Sequence, residues 1–344
     1  MKSKVAIQKD VAQLANVSQA AVSVVLSGAT GSNIVVSPAL RKRILDAAAE
    51  LNYRTNLNAR AIRQSKVFHI GYFVATSDQT DFDFAPFRAG VYDAASELGY
   101  HIVLVRMPNP AAMQIDSVPR IFRSHNLAGL VINEIIPLPA NVRLALRNLS
   151  APIVYLNNRY PTNCVCVDDV FGGTLATSHL IEQGFRKIAF LQYHMHRDFP
   201  AHESEEDRRS AYAEVMRTHH LPHTFIDYNM DDASALRKIL RSPDRPEAFV
   251  CYEDYTAIHA QRYFCEARLE IGKDLALVGY NEDTNVSLSF VPLTTVQIPR
   301  YEMATAAMRM CISLIEGEKR EYAPVVLKPS LIVRQSSLKR TAAV

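Results

Sequence analysis

Apolar residues recur along this chain with two different periods, and the change falls near residue 68. Before it, Val11 and Ala15 stand four apart, and Val22, Val25 and Leu26 stand three and four apart, the spacing of one helix face. The pattern predicts two short helices flanking the tetrapeptide ANVS at 15–18. Asn16 sits where the chain must reverse and is a residue type that tolerates a left-handed backbone, while Ser18 suits the N-cap of the second helix. A third helix is predicted over 39–51, with Ser37 as cap, Pro38 in the first turn, and Leu40, Ile44, Ala48 and Leu51 on one face. With those apolar positions assigned to a small core, Gln19, Ala20, Ser23 and Val24 are left facing outward from the second helix.

From Phe68 onward the pattern changes to short apolar runs separated by amphipathic stretches: HIGYFVA, HIVLV, AGLVI, PIVYL, then KIAFL, AFVCY and LALVGY. Strands alternating with helices predict an α/β body with parallel sheets covered on both faces, and the number of runs suits two doubly wound sheets. In such sheets ligands sit beyond the carboxyl ends of the strands, and a cleft between two lobes is a natural pocket. A stripe through Met303, Ala307, Met310 and Leu314 reads as core or dimer face.

Length and composition narrow the function. A chain of 344 residues holds two or three folded units, and 48% hydrophobic with 21% charged residues is ordinary globular composition. No apolar run of about 18 residues occurs, and the N-terminus is charged and polar, so a cytoplasmic protein is expected. The five cysteines, Cys164, Cys166, Cys251, Cys265 and Cys311, lack metal-site spacing and read as reduced core residues. Charge is uneven: residues 1–66 carry ten Lys/Arg against Asp10, Asp46 and Glu50, which leaves a head of +7 on a body of −4. A basic helical head points to a polyanion, with Lys4, Lys9, Arg41, Lys42 and Arg43 placed to grip phosphates. A recognition helix enters the major groove by its N-terminal side chains, where Gln pairs with adenine and Ala or Val touches a thymine methyl. The bland alternative is a helical hairpin for protein contacts.

The sequence has no P-loop, GxGxxG, GxSxG or HExxH, and only 12 glycines, so neither an enzyme nor a cofactor is expected. The histidines of YHMHR (His194, His196) with His202, His219, His220 and His223 fit no metal geometry, and none is assigned.

The segment KDVAQLANVSQAAVSVVLSG resembles the head signature of the lac repressor (LacI/GalR) family, and the resemblance runs along nearly the whole chain. It implies a three-helix head with Ser18, Gln19, Ala20, Ser23 and Val24 against DNA at residues 1–55 and a hinge at 56–66. It further implies an effector-binding and dimerisation body at 67–344. In YRTNLNARAIRQSK the resemblance places a short minor-groove helix with Asn58, Ala59, Arg60, Ile62 and Arg63, and Ile62 stands at the wedge position that unstacks a base step. Two departures bear on operator sequence: Val24 and Ser27 replace the usual Arg and Asn, and the loop GATGSNIVVS is longer than usual.

For the body the resemblance implies the architecture of periplasmic sugar-binding proteins, with an N-lobe at about 67–167 and 297–325 and a C-lobe at about 168–296 and 326–336. Effector-binding positions then fall on Asp83, Phe84, Arg208, Glu253 and Asn281. Local alternatives stand beside them: Arg208 pairs with Glu205 on its own helix, Glu253 is a helix-start acid, and Asp168 and Asp169 cap the helix at FGGTLA. The expectation is a dimeric transcriptional regulator, a repressor, that binds a pseudo-palindromic duplex operator under control of a sugar or related metabolite. The rival is a solute-binding protein for transport, which shares the body but requires a secretion signal and no basic head.

Overall fold

The computed structural model describes residues 6–27, 36–53, 67–75, 85–107, 127–194, 201–229, 231–283, 286 and 289–339. It divides into two compact units, Met1–Val67 and Phe68–Val344.

Among the described residues the first unit contains three helices: α1 (Gln8–Leu14), α2 (Gln19–Ser27) and α3 (Pro38–Glu50). Their ends are set by short polar side chains. The Asp10 carboxylate accepts the Ile7 N–H at 2.8 Å, Ser18 Oγ accepts the Ala21 N–H at 3.2 Å, and Ser37 Oγ accepts the Leu40 N–H at 3.3 Å. Asn16 takes φ 49°, which lets α1 and α2 meet through a tight turn. Val11, Ala12, Ala15, Ala21, Val22, Val25, Ile44, Ala47 and Ala48 form the core, with Leu40 and Leu51 packed at its edge. Its small side chains permit close helix packing.

The second unit is built on two six-stranded sheets. In order, the first is β2 (His101–Met107), β1 (His69–Ala75), β3 (Gly129–Glu134), β4 (Ile153–Leu156), β5 (Cys164–Val167) and β11 (Val325–Leu327). The second is β7 (Phe225–Tyr228), β6 (Ile188–Tyr193), β8 (Ala248–Cys251), β9 (Ala276–Asn281), β10 (Thr294–Gln297) and β12 (Ser330–Ile332). Only β10 with β12 pairs antiparallel among the described strand pairs. The helices are α4 (Ala85–Glu97), α5 (Ala140–Arg147), α6 (Asp169–Glu182), α7 (Glu203–Thr218), α8 (Ser234–Leu240), α9 (Asp254–Glu266) and α10 (Arg300–Glu316). Strands such as β3, β6 and β8 are buried along their whole length, which is why they read as unbroken apolar runs in the sequence.

Each lobe repeats one order, with the second strand of the lobe outside the first and the third on the other side, so the winding direction reverses between β1 and β3 and again between β6 and β8. The chain crosses between lobes after β5, after β10 and after β11. The last crossing follows Leu327 rather than residue 325, because Val325–Leu327 run hydrogen-bonded beside Val165–Val167. Met303, Ala307 and Met310 of α10 are buried and Leu314 packs beside them, so that stripe is core. α10 lies along α4 at backbone contact distance: a Cβ built on Gly90 would stand 2.4 Å from the Tyr301 carbonyl oxygen and 2.8 Å from Ala304 Cβ. Cys164, Cys166, Cys251 and Cys311 are buried, but Cys265 is exposed on the outer face of α9, which corrects its assignment to the core.

Candidate DNA-reading helix and inter-lobe cleft

At the start of α2, Ser18, Gln19 and Ala20 are exposed, whereas Ser23 and Val24, one turn on, are partly buried beside the core residues Val22 and Val25. Lys9 on α1 and the run Arg41, Lys42, Arg43 on α3 are exposed. The unit thus presents a capped helix start with small and amide side chains together with exposed cations on the two other helices. Lys4 and the hinge positions Asn58, Ala59, Arg60, Ile62 and Arg63 lie outside the described residues, as do Asp83 and Phe84.

In doubly wound sheets the crevice opens where winding reverses, beyond the carboxyl ends of the strands. In the first lobe that place holds Glu134, the last residue of β3 and fully buried. Its carboxylate accepts hydrogen bonds from Leu138 N, Asn158 Nδ2 and Tyr160 Oη, and Tyr160 stacks on Tyr155 at 3.8 Å. In the second lobe the same place holds Tyr252 and Glu253, just after β8, with Arg208 of α7 against them.

Arg208 is 5% exposed, and its Nε donates to Asp169 Oδ1 at 2.7 Å while Nη1 donates to the Tyr252 carbonyl at 2.8 Å. The guanidinium lies 3.6 Å from the Tyr280 ring centroid, and that ring in turn needs Gly172: a Cβ there would fall 1.9 Å from Tyr280 Oη. Burial works against the guanidinium charge, and the Asp169 carboxylate with the two tyrosines outweighs it, so Arg208 is held more firmly protonated than a free arginine. Two local readings are corrected here. Arg208 pairs with Asp169, not Glu205, and Asp169 is not a cap; Asp168 alone caps α6, accepting the Phe171 N–H at 2.9 Å. Asp169 is turned inward, where α6 and α7 pack together.

Glu253 occupies the N-cap position of α9 without a side-chain cap hydrogen bond, and among the described residues its carboxylate has no hydrogen-bond or ion-pair partner. Burial first, and the charge of Asp283 second, push it up to about 7, against weaker opposing pulls from Arg208 and Arg300. Asp254 is fully buried, accepts Thr295 Oγ1–H at 2.6 Å and the Asp283 N–H at 2.9 Å, and is raised to about 8 by burial and then by Asp283. Asn281 at the end of β9 has φ 108° and Glu282 has φ 52°, two consecutive residues in the left-handed region. That turn is clamped from both sides. Arg300 donates to the Asn281 carbonyl at 2.8 Å and to Asp283 Oδ1 at 2.6 Å, and Arg334 grips both Glu282 oxygens at 2.8 and 2.7 Å.

Several polar contacts among the described residues span the lobes. Arg159, after β4, pairs with Asp207 of α7 at 2.6 Å. His202 donates through Nε2 to the Asn157 carbonyl at 2.7 Å while its Nδ1 accepts the Ser204 N–H at the start of α7, and burial lowers its pKa, which suits this neutral tautomer. Arg300, the first residue of the helix that packs on α4, reaches the β9 turn. His202 thus acts as a helix cap and lobe bridge, and His194 sits by Asp227 at 3.3 Å. Among the described residues no group of three His, Cys, Asp or Glu could hold a metal, and no helix is long and apolar enough to cross a membrane.

Sequence reasoning named Arg208, Glu253 and Asn281, and the structure brings these three to one end of the second sheet. It missed Glu134, Asp169 as an ion-pair partner, Asp283 and Arg300. A carboxylate closing the apolar run GLVINE was a readable signal for Glu134; for Arg300 the sequence carried none, since its partners lie 17 and 19 residues away across a lobe boundary.

Comparison with known proteins follows the same division. Residues 8–56 match the lacI family of bacterial regulatory proteins, and residues 177–337 match the periplasmic binding protein-like domain. The chain is thus similar to the lac repressor (LacI/GalR) family in its head and along nearly its whole length. With the lacI-type head it is a DNA-binding transcriptional regulator. It is 29% identical over 283 residues to the arabinose metabolism transcriptional repressor of Geobacillus stearothermophilus, covering 77% of this chain and 76% of that one. It is 27% identical over 344 residues to the HTH-type transcriptional regulator GalR of Escherichia coli K12, covering 95% and 94%. In fold it is similar to a lac repressor dimer bound to operator and the anti-inducer ONPF, with TM-score 0.76, 23% identity, and coverage of 97% of this chain and 100% of that one.

Proposed function

We propose that this chain acts as a dimer on a pseudo-palindromic operator, with a small metabolite in the inter-lobe cleft setting operator affinity. One observation carries the reading: an exposed Gln19 and Ala20 at a Ser18-capped helix start, with exposed Lys9 and Arg41–Arg43, joined in one chain to a two-lobed body whose strand ends face a polar cleft. Gln19, Ala20, Ser23 and Val24 read base edges, while Lys4, Lys9, Arg41, Lys42 and Arg43 hold phosphates. Two-fold symmetry of the dimer requires matching half-sites. Asn58, Ala59, Arg60, Ile62 and Arg63 form the hinge that enters the minor groove, where Ile62 wedges the central step. In the cleft, Arg208, Glu253 and Asn281 meet the effector, with Asp83 and Phe84 contributing from the first lobe. A ligand that favours one lobe arrangement shifts the population, through the contacts of Arg159, His202 and Arg300 that span the lobes. The chain works where its DNA is, in the cytoplasm, and catalyses no turnover of the bound metabolite. A transport protein would have no use for the head.

Selection of duplexes from a random library, followed by fluorescence anisotropy, tests this. An enriched half-site repeat is expected, and Gln19→Ala should cost about 1–3 kcal/mol at one base pair, or roughly 10- to 100-fold, with non-specific binding unchanged. Ile62→Gly should weaken the selected site sharply and leave the salt-dependent background. Failure to enrich any sequence, with or without added cell extract, would overturn the reading.

A further inference from the structure

The charges at the cleft are unevenly matched. Each of the three guanidiniums at the strand ends already faces a carboxylate at contact distance: Arg208 with Asp169 at 2.7 Å, Arg300 with Asp283 at 2.6 Å, and Arg159 with Asp207 at 2.6 Å. None has an unmatched positive charge for an anionic ligand. Arg208 has further N–H groups that can donate to a neutral oxygen, so it remains competent for a hydroxyl. On the acidic side one group is left over. Glu253 stands at the winding reversal of the second lobe, partly buried, beside two neutralised arginines and Asp283, without a cap bond and without a partner among the described residues. Across the cleft Glu134 is hydrogen-bonded, among the described residues, by neutral donors only.

We propose that the cleft takes a hydroxylated ligand that brings a protonated amine to Glu253, and that it rejects ligands carrying a carboxylate or phosphate. This rests on the cleft being the effector site. The ammonium supplies the missing counter-charge and up to three donors to a carboxylate that water only partly reaches, and the hydroxyls take the free edge of Arg208. An anion in the same place would sit against a carboxylate that has no partner among the described residues, beside arginines already paired with Asp169 and Asp283. The position of Glu253 on the proton scale supports the same assignment: burial holds it up to about 7, so an amine must displace a proton to bind below that pH, and a neutral sugar need not.

The test is thermal shift and calorimetry on the full chain with three sets of probes on shared skeletons. These are glucosamine and galactosamine; glucose and galactose; glucuronate, galacturonate and glucose 6-phosphate. The amino sugars should raise the melting temperature with at least tenfold greater affinity than their neutral counterparts. That affinity should fall about tenfold per pH unit below pH 7, as Glu253 takes up its proton, and fall again above about pH 8, as the amine loses its own. Glu253→Gln should remove the preference while melting no lower than the parent at pH 8, which separates loss of recognition from loss of fold. Tighter binding of any acid or phosphate, equal binding of neutral and amino sugars in parent and Glu253→Gln, or no stabilisation by either amino sugar overturns the proposal. Operator binding is measured on separate samples, so a chain that binds DNA and no amine refutes only the ligand class, and one that binds amine and no DNA refutes only the regulator.

Discussion

Truncating Arg208 to alanine should unfold the body more readily than any other single change at the cleft. Its side chain and that of Asp169 are each 6% exposed, so their 2.7 Å pair is hardly screened by solvent. Removing the guanidinium leaves Asp169 buried opposite nothing, a loss of about 3–5 kcal/mol for a broken buried pair. The contact over the Tyr280 ring, 3.6 Å from its centroid, adds roughly 1–2 kcal/mol at a desolvated site, and the Tyr252 carbonyl loses its donor. For a domain of this size that corresponds to a fall in melting temperature on the order of 10 °C. Urea denaturation followed by circular dichroism gives the free energy, and a cycle with Asp169→Asn and the double variant isolates the pair. The double variant should recover much of the loss, because the orphaned charge is gone. A loss below about 1 kcal/mol for Arg208→Ala, or additive effects in the cycle, would refute the inward-facing pair.

Other outcomes follow from the same contacts. Glu253 and Asp254 are raised to about 7 and about 8, while in the unfolded chain both ionise near pH 4, so the folded chain retains protons the unfolded one has released. Stability should therefore fall as pH rises from about 4 through 7, and Glu253→Gln should flatten its share of that slope, on the order of 3 kcal/mol, in melting curves taken across the range. Gly90→Ala should cost about 1–3 kcal/mol or more, read by denaturation, because its methyl meets the Tyr301 carbonyl oxygen at 2.4 Å and α4 must move off α10; a neutral result would show that the two helices are not in backbone contact. Arg300→Leu should loosen the β9 turn, visible as faster amide exchange at Asn281–Asp283 with the strands of the first lobe unchanged.

Much of the architecture was already legible in the order of residues. Helix spacing at Val11, Ala15, Val22 and Val25, the caps Ser18 and Ser37, and the turn at Asn16 are local matters, decided by the backbone within a few residues, and they emerge in the structure where the sequence put them. Seven apolar runs became strands, and central ones such as β3, β6 and β8 read as unbroken because a segment buried on both faces must be apolar throughout. The strands β5, β7, β10, β11 and β12 were not among the runs read, and each is only three or four residues long.

What only the tertiary structure decided is partnership. Asp168 and Asp169 are neighbours and chemically identical, yet one caps α6 and the other neutralises Arg208, 39 residues away, because successive positions at a helix start point in different directions and only one faces α7. Arg300 finds Asp283, and Glu253 finds no partner among the described residues, through the way two lobes fold over each other, and no window of sequence contains that information. Burial and charge pairing belong to the whole fold.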